Sequence, residues 1–164
     1  MTLCILMNNE DLQKLCIEWQ ERLNLRDWRV KAVFCSDYEL DDAYAQIQPD
    51  PYQKIAFCKV VSAEDYENEV IPYDPEQILV HELCHLHAPN LMPEHGTQEF
   101  LELETLIEQV SQSFVNIHRS KQNYSKEDKI ERHVEELEAK EGQLHRSVHK
   151  DSQCDKGCET CRCK

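Results

Sequence analysis

The stretch that decides the fold is ILVHELCHLHAP, residues 78–89, in which His81 and His85 stand four residues apart and Glu82 follows His81. Residues i and i+4 of an α-helix lie one turn apart on the same face, so both imidazoles can bind one metal ion. Glu82 lies about 100° further round such a helix, close to the metal but not aimed as a ligand. That position suits a general base acting on metal-bound water, and the spacing therefore predicts a hydrolytic zinc centre.

The flanking residues place this motif on a buried helix. Asp74 can cap a helix in which Pro75 takes the first position, and Pro89 disfavours helix in the residue before it. We therefore expect helix from Pro75 to about His87. Buried imidazoles are costly unless they are paired or metallated, which favours a metal site over a chance match. The apolar residues that would bury the helix and form a dry wall beside the metal are Ile78, Leu79, Leu83 and Leu86.

A catalytic zinc takes three protein ligands and keeps one position open, so one more ligand is required. Thr97 can cap a long helix that runs from about residue 98 to about residue 119. On its helical wheel Glu104 lies on the shoulder of the apolar face, and Glu108 lies one turn further along the same side. His95, in the preceding loop, is a third alternative. The residues alone favour Glu104 and leave Glu108 and His95 open.

The region before the motif predicts one helix and a small sheet. Residues 9–24 carry an apolar stripe at helical spacing, with Asn8 or Asn9 as the cap. Pro49, Asp50 and Pro51 break the chain between two alternating segments, which predicts an antiparallel hairpin. We expect an α+β, zincin-like fold: an N-terminal helix, a three-stranded mostly antiparallel sheet, the motif helix and a long ligand-bearing helix. The three predicted strands cover residues 27–36, 43–48 and 52–60.

The sequence changes character after residue 120. The polar stretch KQNYS, residues 121–125, predicts a break, and residues 126–146 predict a second, highly charged helix capped by Ser125. Four cysteines crowd the last eleven residues and could either wrap one structural zinc or remain a reduced tail. They are Cys154, Cys158, Cys161 and Cys163. We expect a metallopeptidase domain at 1–120, a charged helical extension at 121–150 and a Cys-rich tail at 151–164.

Charge and hydropathy limit the classes of partner. The net charge is −14, and residues 1–119 hold 8 Lys or Arg against 22 Asp or Glu. Such an acidic body repels phosphate backbones, which disfavours nucleic-acid binding. No apolar run approaches the ~20 residues of a membrane helix, and the start lacks the pattern of a signal peptide. We therefore expect a cytoplasmic protein with mostly reduced cysteines and no membrane partner; the sequence predicts no oligomeric state.

The motif HELCH, followed by Glu104 with 18 residues between them, resembles the gluzincin zinc peptidases. In that clan the third ligand is a glutamate on the helix after the motif helix. Residues 10–115 also resemble small zincin-like proteins of phages and prophages, through LNLRDWRV, the hairpin, LVHELCHLH and LETLIEQVSQSF. The resemblance implies a Zn²⁺ ion on His81, His85 and Glu104, with Glu82 as the base in hydrolysis of a protein or peptide substrate.

A rival resemblance is to the SprT-like proteases, in which a third histidine follows the motif. EHGTQEF, residues 94–100, is similar to that pattern, and by this likeness His95 would be the ligand. The short interval from His85 to His95 and the acidic body count against it. A second class of function is a metal-binding regulatory or interaction module that keeps the fold and the ion without peptidase activity.

Overall fold

The motif helix packs against one face of a three-stranded sheet, beside the N-terminal helix. The computed structural model describes residues 7–40, 43–68, 70–91 and 93–150, with the backbone only for residues 125–150, so the predicted Cys-rich tail at 151–164 lies outside the described residues. Over the described residues the protein is α+β, with three α-helices and a mixed sheet. Its elements are α1 (Asn9–Arg22), β1 (Arg29–Cys35), a 3₁₀ helix (Asp37–Glu39), β2 (Ala45–Asp50), β3 (Ile55–Val61), α2 (Pro75–His85) and α3 (Gln98–Lys150).

Helix α1 forms where the apolar stripe predicts it. Of the two alternative caps, Asn8 is used: its Oδ1 accepts hydrogen bonds from the backbone N–H groups of Glu10 and Asp11 at 2.8 and 3.0 Å. These bonds satisfy donors that the first turn leaves unpaired. The buried face of α1 contributes Leu12, Cys16 and Trp19 to the core.

The sheet has the order β1-β3-β2 and is mixed rather than mostly antiparallel. The predicted hairpin of β2 and β3 is present and antiparallel, whereas β1 pairs with β3 in parallel. The expectation of a mostly antiparallel sheet is wrong because β3 returns to lie between the two earlier strands. The central position suits β3, since it is the most apolar strand and buries Ala56, Cys58, Val60 and Val61.

Strand β2 is an edge strand that runs through Pro49 to Asp50, so the chain turns at residues 51–54 and not at Pro49 as the sequence predicts. The Val61 N–H donates to Tyr44 O. Because hydrogen-bonding residues alternate along an antiparallel pair, Ala45, Ile47 and Pro49 then direct their backbone groups to the outer edge. Proline is tolerated there because its missing N–H removes no bond to β3.

Helix α3 is uninterrupted from Gln98 to Lys150, so the predicted break at residues 121–125 and the separate helix at 126–146 are wrong. Ser125 lies inside the helix and not at a helix start. The physical reason is that KQNYS contains neither glycine nor proline, and each of its residues costs only a few tenths of a kcal/mol in a helix. A polar composition removes an apolar stripe without ending the backbone hydrogen bonding.

The chain divides into two compact units, Met1–His118 and Arg119–Lys164. All groups of the site described below belong to the first unit. Helix α2 ends at His85, two residues before the predicted limit, and Leu79, Leu83 and Leu86 are buried as expected. Among the described residues, no helix combines the length and the apolar character needed to cross a bilayer.

Candidate metal centre

Helix α2 presents both imidazoles of the motif on one side. The Nε2 atoms of His81 and His85 lie 3.3 Å apart, and the two rings meet edge to face with centroids 5.1 Å apart. Asp74 starts this helix as predicted, because its side chain accepts a hydrogen bond from the Gln77 N–H at 3.1 Å. The local spacing and the cap therefore fix the first two ligand atoms.

Helix α3 brings the carboxylate of Glu104 to the same point. Its Oε2 lies 3.1 Å from His81 Nε2, and its Oε1 lies 3.5 Å from His85 Nε2. One ligand atom from each of the three residues lies within 4.8 Å of the others. The structure thus assembles His81, His85 and Glu104 as a group that could hold a metal ion.

The spacing of this group fits a tetrahedral ion. Ligand atoms at the ~2.0–2.1 Å typical of zinc, arranged at tetrahedral angles, lie about 3.3–3.4 Å apart. The two Nε2 atoms lie 3.3 Å apart, and the two oxygens of Glu104 approach one imidazole each, Oε2 at 3.1 Å from His81 and Oε1 at 3.5 Å from His85. Three protein donors leave a fourth position for water or substrate. Imidazole and carboxylate also suit iron, copper and nickel, so the donor set alone does not select zinc.

Glu108 contacts Nδ1 of His81, the ring nitrogen that does not face His85 and Glu104. Its Oε2 is 3.0 Å from His81 Nδ1. A proton on Nδ1 that is donated to this carboxylate leaves the lone pair of Nε2 free for a metal. Gln77 contacts Glu108 in turn, because its Nε2 lies 3.5 Å from Glu108 Oε1. The same Nε2 also donates a hydrogen bond to Ser111 Oγ at 2.9 Å.

Sequence reasoning treats Glu108 only as a ligand alternative and assigns no role to Gln77. The available signal is the i, i+4 spacing from Glu104 to Glu108, which puts both carboxylates on one side of α3. His95, the remaining alternative, packs on the ring of Phe100 with centroids 4.8 Å apart. It is not among the residues that the structure groups as donors.

The surroundings of His85 keep its ring in the form that binds metals. Burial lowers the pKa of His85, and His81 acts in the same direction, while Glu104 opposes both. A lowered pKa keeps the imidazole neutral, with one lone pair for a metal. His85 is 8% exposed, and its Nδ1 has no hydrogen-bond partner among the described residues.

Glu82 is buried between α2 and the edge strand β2, with 9% of its surface exposed. Burial raises the pKa of Glu82 to about 7, and Glu104 also raises it, while His81 and a hydrogen bond from the Ile47 N–H lower it. A carboxyl group with a pKa near 7 can accept and return a proton at neutral pH. The Ile47 contact was not predictable from the sequence, because it depends on which edge of β2 faces α2.

Two cavities flank the group and share Ala43, Ala45, Glu82 and Glu104 in their walls. The tyrosine cavity, about 370 Å³, is also lined by Tyr44, Tyr66 and Ile71, and by Asp74 and Glu108. The His95 cavity, about 350 Å³, is lined on its far side by apolar residues such as Leu40, Ile47 and Phe100, and by His95.

Comparison of the chain with protein-family models, with curated proteins and with solved structures gives no match. Neither of the two family resemblances suggested by the motif is therefore supported from outside the chain. The chemistry of the site rests on its own geometry: two imidazoles and a carboxylate whose donor atoms lie within 4.8 Å of one another, and a buried carboxyl group beside them.

Proposed function

We propose that this protein is a zinc-dependent metallopeptidase with a zincin-like fold, in which His81, His85 and Glu104 bind the ion and Glu82 is the general base. One observation carries the proposal: one donor atom from each of His81, His85 and Glu104 lies within 4.8 Å of the others, and Glu82, buried on the same helix as the histidines, lines both adjoining cavities. A catalytic zinc needs such a three-ligand set with an open position.

The chain supplies the proton-handling and positioning groups for hydrolysis. Zinc, when bound, lowers the pKa of a water molecule toward ~7 and polarises the substrate carbonyl. Glu82 takes a proton from the attacking water and delivers it to the departing amine. Glu108 holds His81 by its Nδ1–H, and the Ile47 N–H orients the Glu82 carboxylate. Each of these groups is in place before substrate binds, which reduces reorganisation during the reaction.

The outer edge of β2 supports a peptide as the substrate. Strand β2 pairs only with β3 among the described strands, so its other edge faces the cavities. Ala45 lies on that edge and lines both cavities. The Ile47 N–H on this edge is bonded to Glu82 and Pro49 has no N–H, so Ala45 is the position at which an extended peptide can add through backbone hydrogen bonds. Such pairing would carry the carbonyl groups of the peptide past His81, His85 and Glu104.

A second candidate is a metal-binding module without peptidase activity. The observation that favours it is the burial of Glu82, whose carboxylate already accepts a hydrogen bond from the Ile47 N–H. A base engaged in this way is less available to an attacking water. This candidate predicts bound metal and intact fold with no turnover.

Metal content and hydrolysis separate the two candidates. We expect zinc-loaded wild type to hydrolyse an unfolded protein such as casein, and His81→Ala to contain one zinc fewer per chain. Glu82→Gln should keep that zinc and lose about 10²–10⁴-fold in rate, the usual contribution of a general base. Glu102→Gln, an exposed carboxylate on α3, is the matched control and should behave as wild type.

Two results would contradict the proposal. Equal rates for wild type and Glu82→Gln dismiss the base role. Zinc bound at the three ligands without hydrolysis of any unfolded protein supports the binding module.

A further inference from the structure

Helices α2 and α3 meet through a polar seam, to which each helix contributes three side chains at intervals of three or four residues. These are Gln77, His81 and His85 on α2, and Glu104, Glu108 and Ser111 on α3. The contacts run in antiparallel order, and Gln77 meets Ser111 at one end of the seam. At the other end His85 meets Glu104. The position of α3 along α2 therefore decides whether Glu104 reaches the histidines.

The pair of Gln77 and Ser111 is the buried end of this seam. Ser111 is fully covered, and Gln77 is 9% exposed. The Ser111 hydroxyl donates to the backbone oxygen of Glu108 at 3.0 Å, which leaves its lone pairs to accept the Gln77 Nε2–H at 2.9 Å. Water does not compete for a bond in such surroundings, whereas it can compete for the partly exposed carboxylates at the other end.

Ser111 occupies a core position of α3. It lies four residues after Ile107 and four before Val115, and both of these apolar residues are buried. Apolar contacts are non-directional and tolerate a small slide of one helix along another. A buried hydroxyl and a buried amide do not, because any register that separates Ser111 from Gln77 leaves both groups without this partner. Such a pair can specify one register, as a polar residue does in the core of a coiled coil.

We propose that the buried bond between Gln77 and Ser111 holds α3 against α2 at the register in which Glu104 reaches both histidines. Gln77 and Ser111 are positioning residues, which act on a bound ion only through the carboxylates. The Gln77 amide also lies 3.5 Å from Glu108 Oε1 and so helps to hold the carboxylate that contacts His81 Nδ1. The inference rests on the three-ligand site of the proposed function and not on hydrolysis.

Gln77→Met tests the bond with little change of shape. Methionine is unbranched, forms helix about as well as glutamine and donates no hydrogen bond. Ser111 keeps its bond to the backbone oxygen of Glu108. We expect zinc affinity, measured by competition with a chromophoric chelator, to fall about 30-fold, within the range for groups behind a metal ligand. Wild-type affinity in Gln77→Met overturns the inference.

A second background shows whether the loss passes through Glu104. In Glu104→Ala the register has no third ligand to place. Gln77→Met should then weaken zinc binding only about 2-fold further, through its contact with Glu108. A role of Gln77 in stability alone would give the same loss in both backgrounds, and that result overturns the inference.

Gln20→Met is the matched control for the loss of a buried glutamine. The Gln20 amide donates to the backbone oxygens of Leu25 and Trp28, outside the polar seam. With a chelator present we expect Gln20→Met to unfold at lower urea concentration than wild type, with unchanged zinc affinity of the folded protein. Gln77→Met should unfold near the wild-type midpoint, because it also removes Oε1, a buried atom without a partner among the described residues. Equal losses of zinc affinity in the two variants overturn the inference.

Ser111→Ala breaks the same bond from α3. Alanine is the strongest helix former, so this variant decides the question if Gln77→Met does not fold. We expect about 20-fold weaker zinc binding, slightly less than for Gln77→Met, because Gln77 can still face Glu108. If wild type binds zinc and Ser111→Ala binds it equally well, the site stands and the positioning role fails. If wild type binds no zinc, the site and the positioning role both fail.

Discussion

Helices α2 and α3 contribute side chains to the candidate metal site in different ways. Helix α2 has 11 residues and is buried on nearly every side, with Leu79, Val80 and Leu83 fully covered by the core. Helix α3 is much longer and supplies its carboxylates from a solvated side: the side chains of Glu104 and Glu108 are 28% and 57% exposed. The imidazoles are therefore held by packing, whereas the carboxylates are held mainly by their contacts with the imidazoles.

This difference predicts a ranking of contributions to metal binding. A donor that is buried and fixed loses little freedom when the ion binds, and water cannot replace it easily. An exposed carboxylate is partly screened and can be replaced in part by water. Substitutions on α2 should therefore weaken metal binding more than equivalent substitutions on α3.

The largest effect is expected for His85→Ala. This change removes the most buried donor and leaves a cavity that neither Glu104 nor water fills with the same geometry. We expect zinc affinity to fall by at least about 10³-fold, which is a substantial part of the binding free energy of such sites. Competition with a chromophoric chelator measures the loss. His87→Ala is the matched control, since His87 is exposed and lies just beyond the helix. An equal loss in both variants would remove His85 from the site.

Glu104→Gln is expected to come next. Glutamine keeps the shape and one oxygen donor but removes the negative charge that faces both imidazoles. We expect about 10²-fold weaker zinc binding, measured by the same competition. Glu102→Gln controls for loss of one charge from α3. If Glu104→Gln weakens binding more than His85→Ala does, the ranking of the two helices is reversed.

The same contrast explains how much of the site the sequence could predict. The Nε2 atoms of His81 and His85 lie close together because i, i+4 spacing is a local property of a helix, and the Asp74 cap is equally local. Glu104 could be favoured from its place on the wheel, but its distance to His81 depends on how α3 packs. The i, i+4 spacing puts Glu108 on the same side of α3 as Glu104, but its contact with His81 Nδ1 is tertiary. The hydrogen bond from the Ile47 N–H to Glu82 is also tertiary, and no spacing in the sequence predicts it.

The same limit applies to how much of the fold the sequence predicts. The hairpin of β2 and β3 follows from nearby turn residues, and the pattern predicts it correctly. The parallel pairing of β1 with β3 depends on which strand takes the centre of the sheet, a choice made by burial of β3 as a whole. The sequence predicts a break in α3 because polar residues interrupt the apolar stripe, but these residues include no helix breaker and the helix continues.

A third prediction concerns the free energy of unfolding, which the burial of ionised Glu82 should lower. Its pKa rises from 4.5 to about 7 in the folded chain, so the folded state favours the protonated form. The stabilising contribution is fully present below about pH 4.5 and is lost as pH rises through about 7. Without metal, ionised Glu82 should then reduce the free energy of unfolding by on the order of 3 kcal/mol at pH 8.

Urea unfolding in the presence of a chelator checks this cost. Glu82→Gln should be more stable than wild type at pH 8, and the advantage should shrink toward pH 5. Glu102→Gln, which removes an exposed charge, should follow wild type at both pH values. If Glu82→Gln shows no greater advantage at pH 8 than at pH 5, the carboxyl group is not held in a costly environment.

The smallest effect on metal binding is expected for Glu108→Gln. Glu108 acts on the ion only through His81, because its Oε2 meets Nδ1 while Glu104 meets Nε2. Loss of a carboxylate behind a ligating histidine weakens metal binding about 10–100-fold, and the exposure of Glu108 favours the lower end. We expect about 10-fold, less than for Glu104→Gln in the same assay. A loss as large as that of Glu104→Gln would mean that Glu108 binds the ion directly, and the ring of His81 would then have to turn over.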